Sequence, residues 1–436
     1  MPDDTPQKVL IIGAGIAGLT LAQCLRKHNI PFTIYERDAS PTSRDQGFAL
    51  GLYDLLTLLT PHLPTDLPPL PSTCHLLPLP LPSQVIYHLP PPAPALLIQD
   101  TPTTPCLRAN RQRLRALLST YLSPSIHYAK HAISITTTAS SVTVHFSDGT
   151  SATGTLLVGA DGVHSSVRPF ILKKPNTAVL TVSATPILGE VTLRGAAAIE
   201  AQLRLGYTGF VAFGAGFTLF SGVNRVLWDE DHQEVVGEYY WVLGNLEGLG
   251  AGGVGRTKAE MLAFARDKVG GLREEFRGTV EATGEEGVRE GFTLGPPGTG
   301  SATVAIGADD EAQGWYDALI PGDDLPPVDR VLLIGDACHP MTPNRGEGGI
   351  FAIRDAVQLS QLLAENVGVH HETLRPKLDS FQKDIADKGH ESILAARDTM
   401  SKARTGAAKP KAWGHELTPI TELPPLPFKL ADWRPE

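Results

Sequence analysis

A strand-like apolar run, Lys8 to Ile12, leads straight into Gly13-Ala-Gly-Ile-Ala-Gly18. The next residues place Leu19, Leu21, Ala22 and Leu25 at helical spacing. A second apolar run then ends in Glu36, 18 residues beyond the last glycine. This order suits a dinucleotide. Gly13 permits the tight turn, Gly15 lets backbone amides approach a pyrophosphate, and Gly18 lets helix pack on strand. The diphosphate would sit at the positive end of the helix. Glu36 would accept hydrogen bonds from ribose hydroxyls and repel a 2′-phosphate, with Arg37 beside it at the same end. The expected dinucleotide is therefore FAD or NAD rather than NADP.

Two further carboxylates stand at strand ends. Thr155 to Arg168 (TLLVGADGVHSSVR) is an apolar run entering Asp161-Gly162. Val331 to Leu359 begins with VLLI, enters Gly335-Asp336, crosses a loop with Pro340 and Pro343, and reopens at Gly346 to Gly349. A helix with Ile353, Ala356 and Val357 on one side follows. Such a carboxylate can hold a polyol hydroxyl while the amides of a Gly-rich helix start face an anion. Singly, each Asp-Gly or Gly-Asp reads as a turn; with the first glycine array they form a set. A second glycine array, Gly248 to Gly253 (GLGAGG), is read as a loop. The capping box Thr257 to Glu260 starts its own helix four residues later, and no second strand ending in an acid follows.

The trio resembles the single-component FAD-dependent aromatic hydroxylases, the family of para-hydroxybenzoate hydroxylase, salicylate hydroxylase and fungal natural-product epoxidases. The resemblance spans about Lys8 to Arg404. It implies that Gly13, Gly15, Gly18 and Glu36 hold the adenosine diphosphate, and that Arg111 in RANRQRLRALL lies against FAD. It assigns Asp161 and Gly162 to FAD and nicotinamide binding, Asp336 to the ribityl chain and Pro343 to the loop beside the flavin ring. Gly346, Gly348 and Gly349 would open a helix aimed at the flavin pyrimidine. The family's usual Gly-Gln-Gly-x-Asn reads here Gly346-Glu347-Gly348-Gly349-Ile350, so an amide becomes a carboxylate and another amide is lost. The implied activity is that of a monooxygenase. NAD(P)H serves as transient reductant, and one atom of dioxygen goes to a small aromatic or natural-product substrate by hydroxylation or epoxidation. A flavin oxidase or dehydrogenase, and a non-redox ligand-binding protein, remain open alternatives at this point.

The elements that must position these groups imply an α/β fold. It would be a doubly wound three-layer FAD-binding domain, discontinuous over 1–75, 106–175 and 301–365, with an inserted β-sheet substrate domain from 76–105 and 176–300. A C-terminal helix, 366–404, and a Pro-rich tail, 405–436, complete the chain. The segment 176–300 reads mainly as strands and turns, including TLRGAAAIE and EYYWVLG. Its candidate pocket residues are Arg194, Phe213, Phe220, Tyr239 and Trp241, with Arg194 and Tyr239 the candidate catalytic pair. Tyr239 and Trp241 share one strand face and Tyr240 takes the other. Each aromatic also suits core packing, and Arg194 also suits a solvated edge. His339, between Asp336 and Pro340, is read as loop-shaping.

Composition agrees and excludes. The chain has 436 residues with 43 Gly, 36 Pro and a 42% hydrophobic fraction, enough for a sizeable core. Its formal charge of −10 and lack of a basic block argue against nucleic acid. Cys24, Cys74, Cys106 and Cys338 form no C-x-x-C and read as reduced thiols of a cytoplasmic protein with no metal site. Val9 to Leu25 is uncharged, but its patterned glycines fit a nucleotide turn better than a membrane span. Residues 61–105 hold 14 of the prolines and read as linker or covering loop, with linker preferred.

Overall fold

The apolar runs that flank the glycine motifs become parallel strands. In the computed structural model, which describes residues 8–43, 47, 49–172, 187–244, 257–289, 330–341, 345–404 and 417–434, a five-stranded parallel sheet forms one core. Its order is Val331–Leu333, Leu156–Gly159, Val9–Ile12, Phe32–Tyr35 and Ile126–His127. Every residue of the three strands Val331–Leu333, Leu156–Gly159 and Val9–Ile12 is buried, as expected for a parallel sheet covered on both faces. One face carries the helices Ile16–Lys27 and Gly348–Ala364, packed on each other. An antiparallel meander of Ala132–Thr137, Val142–Phe146 and Ser151–Gly154 covers the other. There Phe146 packs on Tyr35 and Gly154 abuts Leu10. This is the three-layer arrangement expected.

A second, eight-stranded sheet lies beside it. Its order is Val288–Arg289, Ile187–Arg194, Glu234–Gly244, Phe217–Asp229, Gly209–Gly214, Gln84–His88, Ala95–Gln99 and Thr418–Ile420. Both faces are covered. Trp241, Phe210, Leu219 and Leu243 pack under the helix Lys258–Val269, and Tyr239 packs with Ile199 and Leu203 of the helix Ala196–Leu205. On the opposite face Tyr87 belongs to the core of the first domain, with Val211 and Phe213 packed against it. That inner face therefore looks toward the parallel-sheet domain.

Several expectations are revised. Within TLRGAAAIE the strand stops at Arg194, because Gly195 takes φ 82° and the alanines continue as a helix. The Pro-rich stretch is neither plain linker nor detached loop. Its proline-free interval Gln84–His88 is an interior strand of the large sheet, and Pro71 lies in the first turn of the helix Leu70–Cys74. The Pro-rich tail also contributes. Thr418–Ile420, with Pro419 at its centre, forms an edge strand, and Leu430 is buried beside Tyr239. The capping box holds: the Thr257 hydroxyl accepts from the Glu260 amide at 3.2 Å, and the Glu260 carboxylate accepts from the Thr257 amide at 2.7 Å. GLGAGG and Pro343 lie outside the described residues.

Candidate active site

The three glycine motifs meet at the carboxyl ends of the parallel strands, where open α/β sheets bind ligands. Gly13 has φ 107°, and a Cβ there would stand 2.5 Å from the Ala160 carbonyl oxygen, so only glycine fits between the two strand ends. A Cβ on Gly18 would lie 2.1 Å from the Gly13 oxygen and 3.2 Å from the Ile11 side chain of the strand, so the helix packs closely on the turn as well as on the strand. Gly15 is different: nothing lies within 4 Å of its missing Cβ. It is the N-cap of Ile16–Lys27 and offers no capping side chain, and no acid occupies the first turn. The amides there stay available to an anion.

Glu36 is buried beside the first glycine motif. Its two oxygens accept from the amides of Ala14 (2.6 Å) and Asp38 (2.9 Å), leaving further lone pairs that could accept from a ligand hydroxyl. Arg37 is exposed and close enough to His164 to lower that imidazole, which burial lowers first. Asp161 receives the Ser166 amide at 2.7 Å and its hydroxyl at 2.9 Å on one oxygen; the other is buried with no partner among the described residues. Gly162, at φ 77°, again faces open space. An orphaned buried acceptor beside two open glycine cradles fits a polyhydroxylated dinucleotide.

Asp336 sits in the short helical turn Gly335–Ala337, its carboxylate near Gly348 at the start of Gly348–Ala364. Burial raises its carboxyl, and His339, Arg111 and Arg168 oppose that rise. Arg111 opens the helix Arg111–Ser119, which Asn110 caps by accepting the Arg113 amide at 3.0 Å. Gly348 and Gly349 begin a helix with no acid in its first turn and no side-chain cap, so its positive end is exposed to ligand charge. Leu50 occupies the space a Gly349 side chain would need. Gly346 adopts φ 65°. The departures from the family pattern are accommodated locally. Glu347 is paired with Arg345 at 2.5 Å and bonded by the Ser392 hydroxyl at 2.5 Å, while Ile350 is core.

His339 is wholly buried, and its Nε2 meets Asp355 Oδ2 at 2.7 Å. Burial works against a charged imidazole, but the Asp355 carboxylate outweighs it and holds His339 above its ordinary value. The same Asp355 oxygen accepts the Gly335 amide at 2.8 Å. Gly389, on the long helix His371–Arg404, leaves the room that His339 fills. This is a positioning role for the Asp336 turn.

Sequence reasoning missed the residue that joins the motifs. Arg168 is 1% exposed, and the Asp161 and Asp336 carboxylates favour its charge against burial. It donates to four carbonyls: Ala337 (2.8 Å), Asp336 (2.7 Å), Val163 (3.0 Å) and Gly162 (3.4 Å). It thereby bolts the Asp161 turn to the Asp336 turn. Arg115 was missed too; it ties Ala14 (2.9 Å) to Pro41 (2.7 Å) beside the first motif. Both were visible as arginines near motifs, but nothing local shows what they bind.

The substrate-side candidates divide. Phe213 and Phe220 lie on the inner face, where Val211 and Phe220 are register partners. Tyr239 and Trp241 do not: they point outward, Trp241 bonding Thr283 at 2.8 Å and Tyr239 buried with a hydroxyl that has no partner among the described residues. Arg194 is a surface residue, its side chain 51% exposed and paired with Asp229 and Glu234 at 2.9 and 3.0 Å. The alternation of Tyr239, Tyr240 and Trp241 is as expected, but it cannot say which face is the cleft when both faces are buried. Among the described residues no three His, Cys, Asp or Glu side chains gather as a metal site, and no helix is long and apolar enough to cross a membrane.

Residues 327–384 match a family model described as FAD binding domain, and residues 11–51 match an NAD(P)-binding Rossmann-like domain. Among solved structures, HpxO of Klebsiella pneumoniae, complexed with FAD and uric acid, superposes with a TM-score of 0.66 at 21% identity, covering 91% of this chain and 89% of its own. The 2,6-dihydroxypyridine-3-hydroxylase of Arthrobacter nicotinovorans gives 0.64 at 19% identity, covering 98% and 100%. These share the fold. The FAD-dependent monooxygenase cctM of Talaromyces islandicus is 26% identical over 406 residues, 90% of this chain and 91% of its own. The FAD-dependent monooxygenase thnD of Trichoderma harzianum is 31% identical over 428 residues, 95% of this chain and 98% of its own. Aligned over nearly its whole length, the chain belongs to the FAD-dependent monooxygenases.

Proposed function

We propose that this monooxygenase takes electrons from a nicotinamide nucleotide and places one atom of dioxygen on a small aromatic or natural-product substrate. The substrate is held between the inner face of the large sheet and the Gly348 helix start, and the enzyme works in the cytoplasm. The observation that carries the reading is the convergence of the three motifs, with Arg168 bridging the Asp161 and Asp336 turns by backbone carbonyls.

Bound FAD supplies the electron relay and the activation of oxygen; the chain's residues bind, orient and exclude water. The amides at Gly15 and the first turn of Ile16–Lys27 receive the diphosphate. Glu36 takes the ribose hydroxyls and Asp336 the ribityl chain. The open N-terminus of Gly348–Ala364 stabilises negative charge on the flavin pyrimidine. Phe213 and Phe220 make the sheet side of the cleft apolar, which keeps water from the reacting atoms.

Anaerobic mixing tests the reading. NADH or NADPH is expected to bleach the flavin, and labelled dioxygen to leave one labelled atom in the product. Bleaching by substrate alone, without nicotinamide, would assign an oxidase or dehydrogenase instead.

A further inference from the structure

The turn that enters the flavin-side helix carries a charge pair of its own. Arg345 and Glu347 flank Gly346, whose φ of 65° folds the chain so that their side chains meet. The Arg345 guanidinium donates to one Glu347 oxygen at 2.5 Å, and the Ser392 hydroxyl donates to the other at 2.5 Å. The two charged side chains are only 14% and 9% exposed, so salt and water screen them little. Glu347 is also the N-cap residue of Gly348–Ala364, yet its side chain caps nothing. With both oxygens engaged elsewhere, the carboxylate is turned away from the helix amides. Its backbone carbonyl accepts the amides of Ile350 at 2.9 Å and Phe351 at 3.0 Å. Those of Gly348 and Gly349 have no intrahelical acceptor.

The long helix His371–Arg404 backs this turn and holds the pair in place. Gln382, Gly389 and Ser392 lie on one face of it by helical spacing. Gln382 brackets Leu333, accepting its amide at 2.8 Å and donating to its carbonyl at 3.1 Å. Gly389 makes room for the His339 side chain. Ser392 reaches Glu347, with the Met341 sulfur 3.9 Å from its hydroxyl. One helix face thus fixes the strand end, the Asp336 turn and the Glu347 turn together. Two opposite charges at a helix start matter through their balance. Asp336 already stands there, its carboxylate 3.4 Å from where a Gly348 Cβ would lie. A second carboxylate alone would oppose the positive helix end, and a guanidinium alone would reinforce it. Paired, the two largely cancel, and the amides of Gly348 and Gly349 dominate the local field.

We infer that the Arg345–Glu347 pair sets the reduction potential of bound FAD by fixing the charge at the start of the Gly348 helix. This rests on the monooxygenase reading, in which that helix start faces the flavin pyrimidine. The pyrimidine gains negative charge on reduction, so a change in nearby charge alters the stability of reduced FAD more than that of oxidised FAD. Arg345 and Glu347 are positioning residues here: they act through the field at the helix start. Ser392 keeps the carboxylate turned from the amides that receive the flavin's charge.

The test is a double-mutant cycle on the holoenzyme, read as the flavin midpoint potential in anaerobic reduction against a reference dye. The affinity of each variant for oxidised FAD is titrated alongside. Glu347→Gln, isosteric but neutral, leaves Arg345 uncompensated. It should favour reduced over oxidised FAD about tenfold, a rise of about 30 mV for a two-electron couple. Arg345→Gln leaves the carboxylate uncompensated and should shift the ratio about tenfold the other way. The double variant should return to within about twofold of wild type, and Arg345→Lys, which keeps the charge, should stay there too. Should Arg345→Gln not fold, Glu347→Gln and Arg345→Lys carry the comparison, the first displaced upward and the second not. Shifts of the same sign in the two neutral variants, or an unmoved potential with FAD bound, would overturn the inference and leave the monooxygenase reading standing. Weaker binding of oxidised FAD at an unmoved potential would mark the pair as merely structural and overturn it likewise. A colourless protein that takes up no FAD would instead remove the monooxygenase reading, and the inference with it.

Discussion

Arg168 and Arg108 are both buried arginines, yet they are satisfied in opposite ways. Arg168 spends its donors on four backbone carbonyls from two turns. Arg108 meets the Tyr240 hydroxyl and the Phe220 ring face, and its Nε has no partner among the described residues. A cation that donates to carbonyls of two turns is a bolt: its loss orphans carbonyls in two motifs at once. A cation held by a hydroxyl and a ring face ties one ribbon to the large sheet without joining the motifs. The difference separates the turns of the glycine motifs from the inner face of the large sheet.

The largest effect should come from removing the bolt. Arg168→Met leaves four carbonyls without their donor, and the expected loss is about 3–5 kcal/mol in urea unfolding. A loss under about 1 kcal/mol would break the distinction between the two arginines. Asp336→Ala should weaken FAD about tenfold or more by removing a charged hydrogen-bond acceptor, with little change in unfolding of the FAD-free protein. Unchanged FAD affinity would show that the carboxylate does not meet the ribityl chain. Arg108→Met should cost about 1 kcal/mol of stability, because methionine fills apolar space and only phenol hydroxyls lose a partner.

His339 sharpens the comparison through pH. Asp355 holds its imidazole above the ordinary value. Its contribution to stability is therefore full below the unfolded value of about 6.5 and is lost as pH rises through the folded one. Thermal melts of wild type and His339→Gln should converge as pH rises; a gap that widens with pH would reverse the sign. The smallest effect belongs to the outer face. Tyr239→Phe removes a buried hydroxyl that has no partner, so stability should change by less than about 0.5 kcal/mol or rise slightly. Turnover should not respond.

How much of this was legible follows from sequence distance. The glycine array and Glu36 could be read because a turn, a helix start and a strand end are local, and their geometry follows from residue type. Asp161 and Asp336 stood out for the same reason. Arg168 was plainly present in its motif, but its partners at Asp336 and Ala337 lie 168 and 169 residues away. Tyr240 and Arg108 are 132 residues apart, and nothing near either shows that they meet. Strand alternation separated Tyr240 from Tyr239 and Trp241 correctly. It could not choose the cleft side, because helices cover the outer face while the parallel-sheet domain faces the inner one, and apolar residues line both. Arg194 misled for a related reason: its carboxylate partners come from the neighbouring hairpin, Asp229 and Glu234.

FAD titration of two folded variants tests the division most directly. Arg168→Lys keeps the charge but cannot span four carbonyls, and FAD affinity should fall about tenfold or more. Arg108→Met should bind FAD within about twofold of wild type, since that arginine meets Tyr240 and Phe220 of the large sheet rather than the motif turns. The reverse order, with Arg108→Met losing FAD and Arg168→Lys retaining it, would contradict the account.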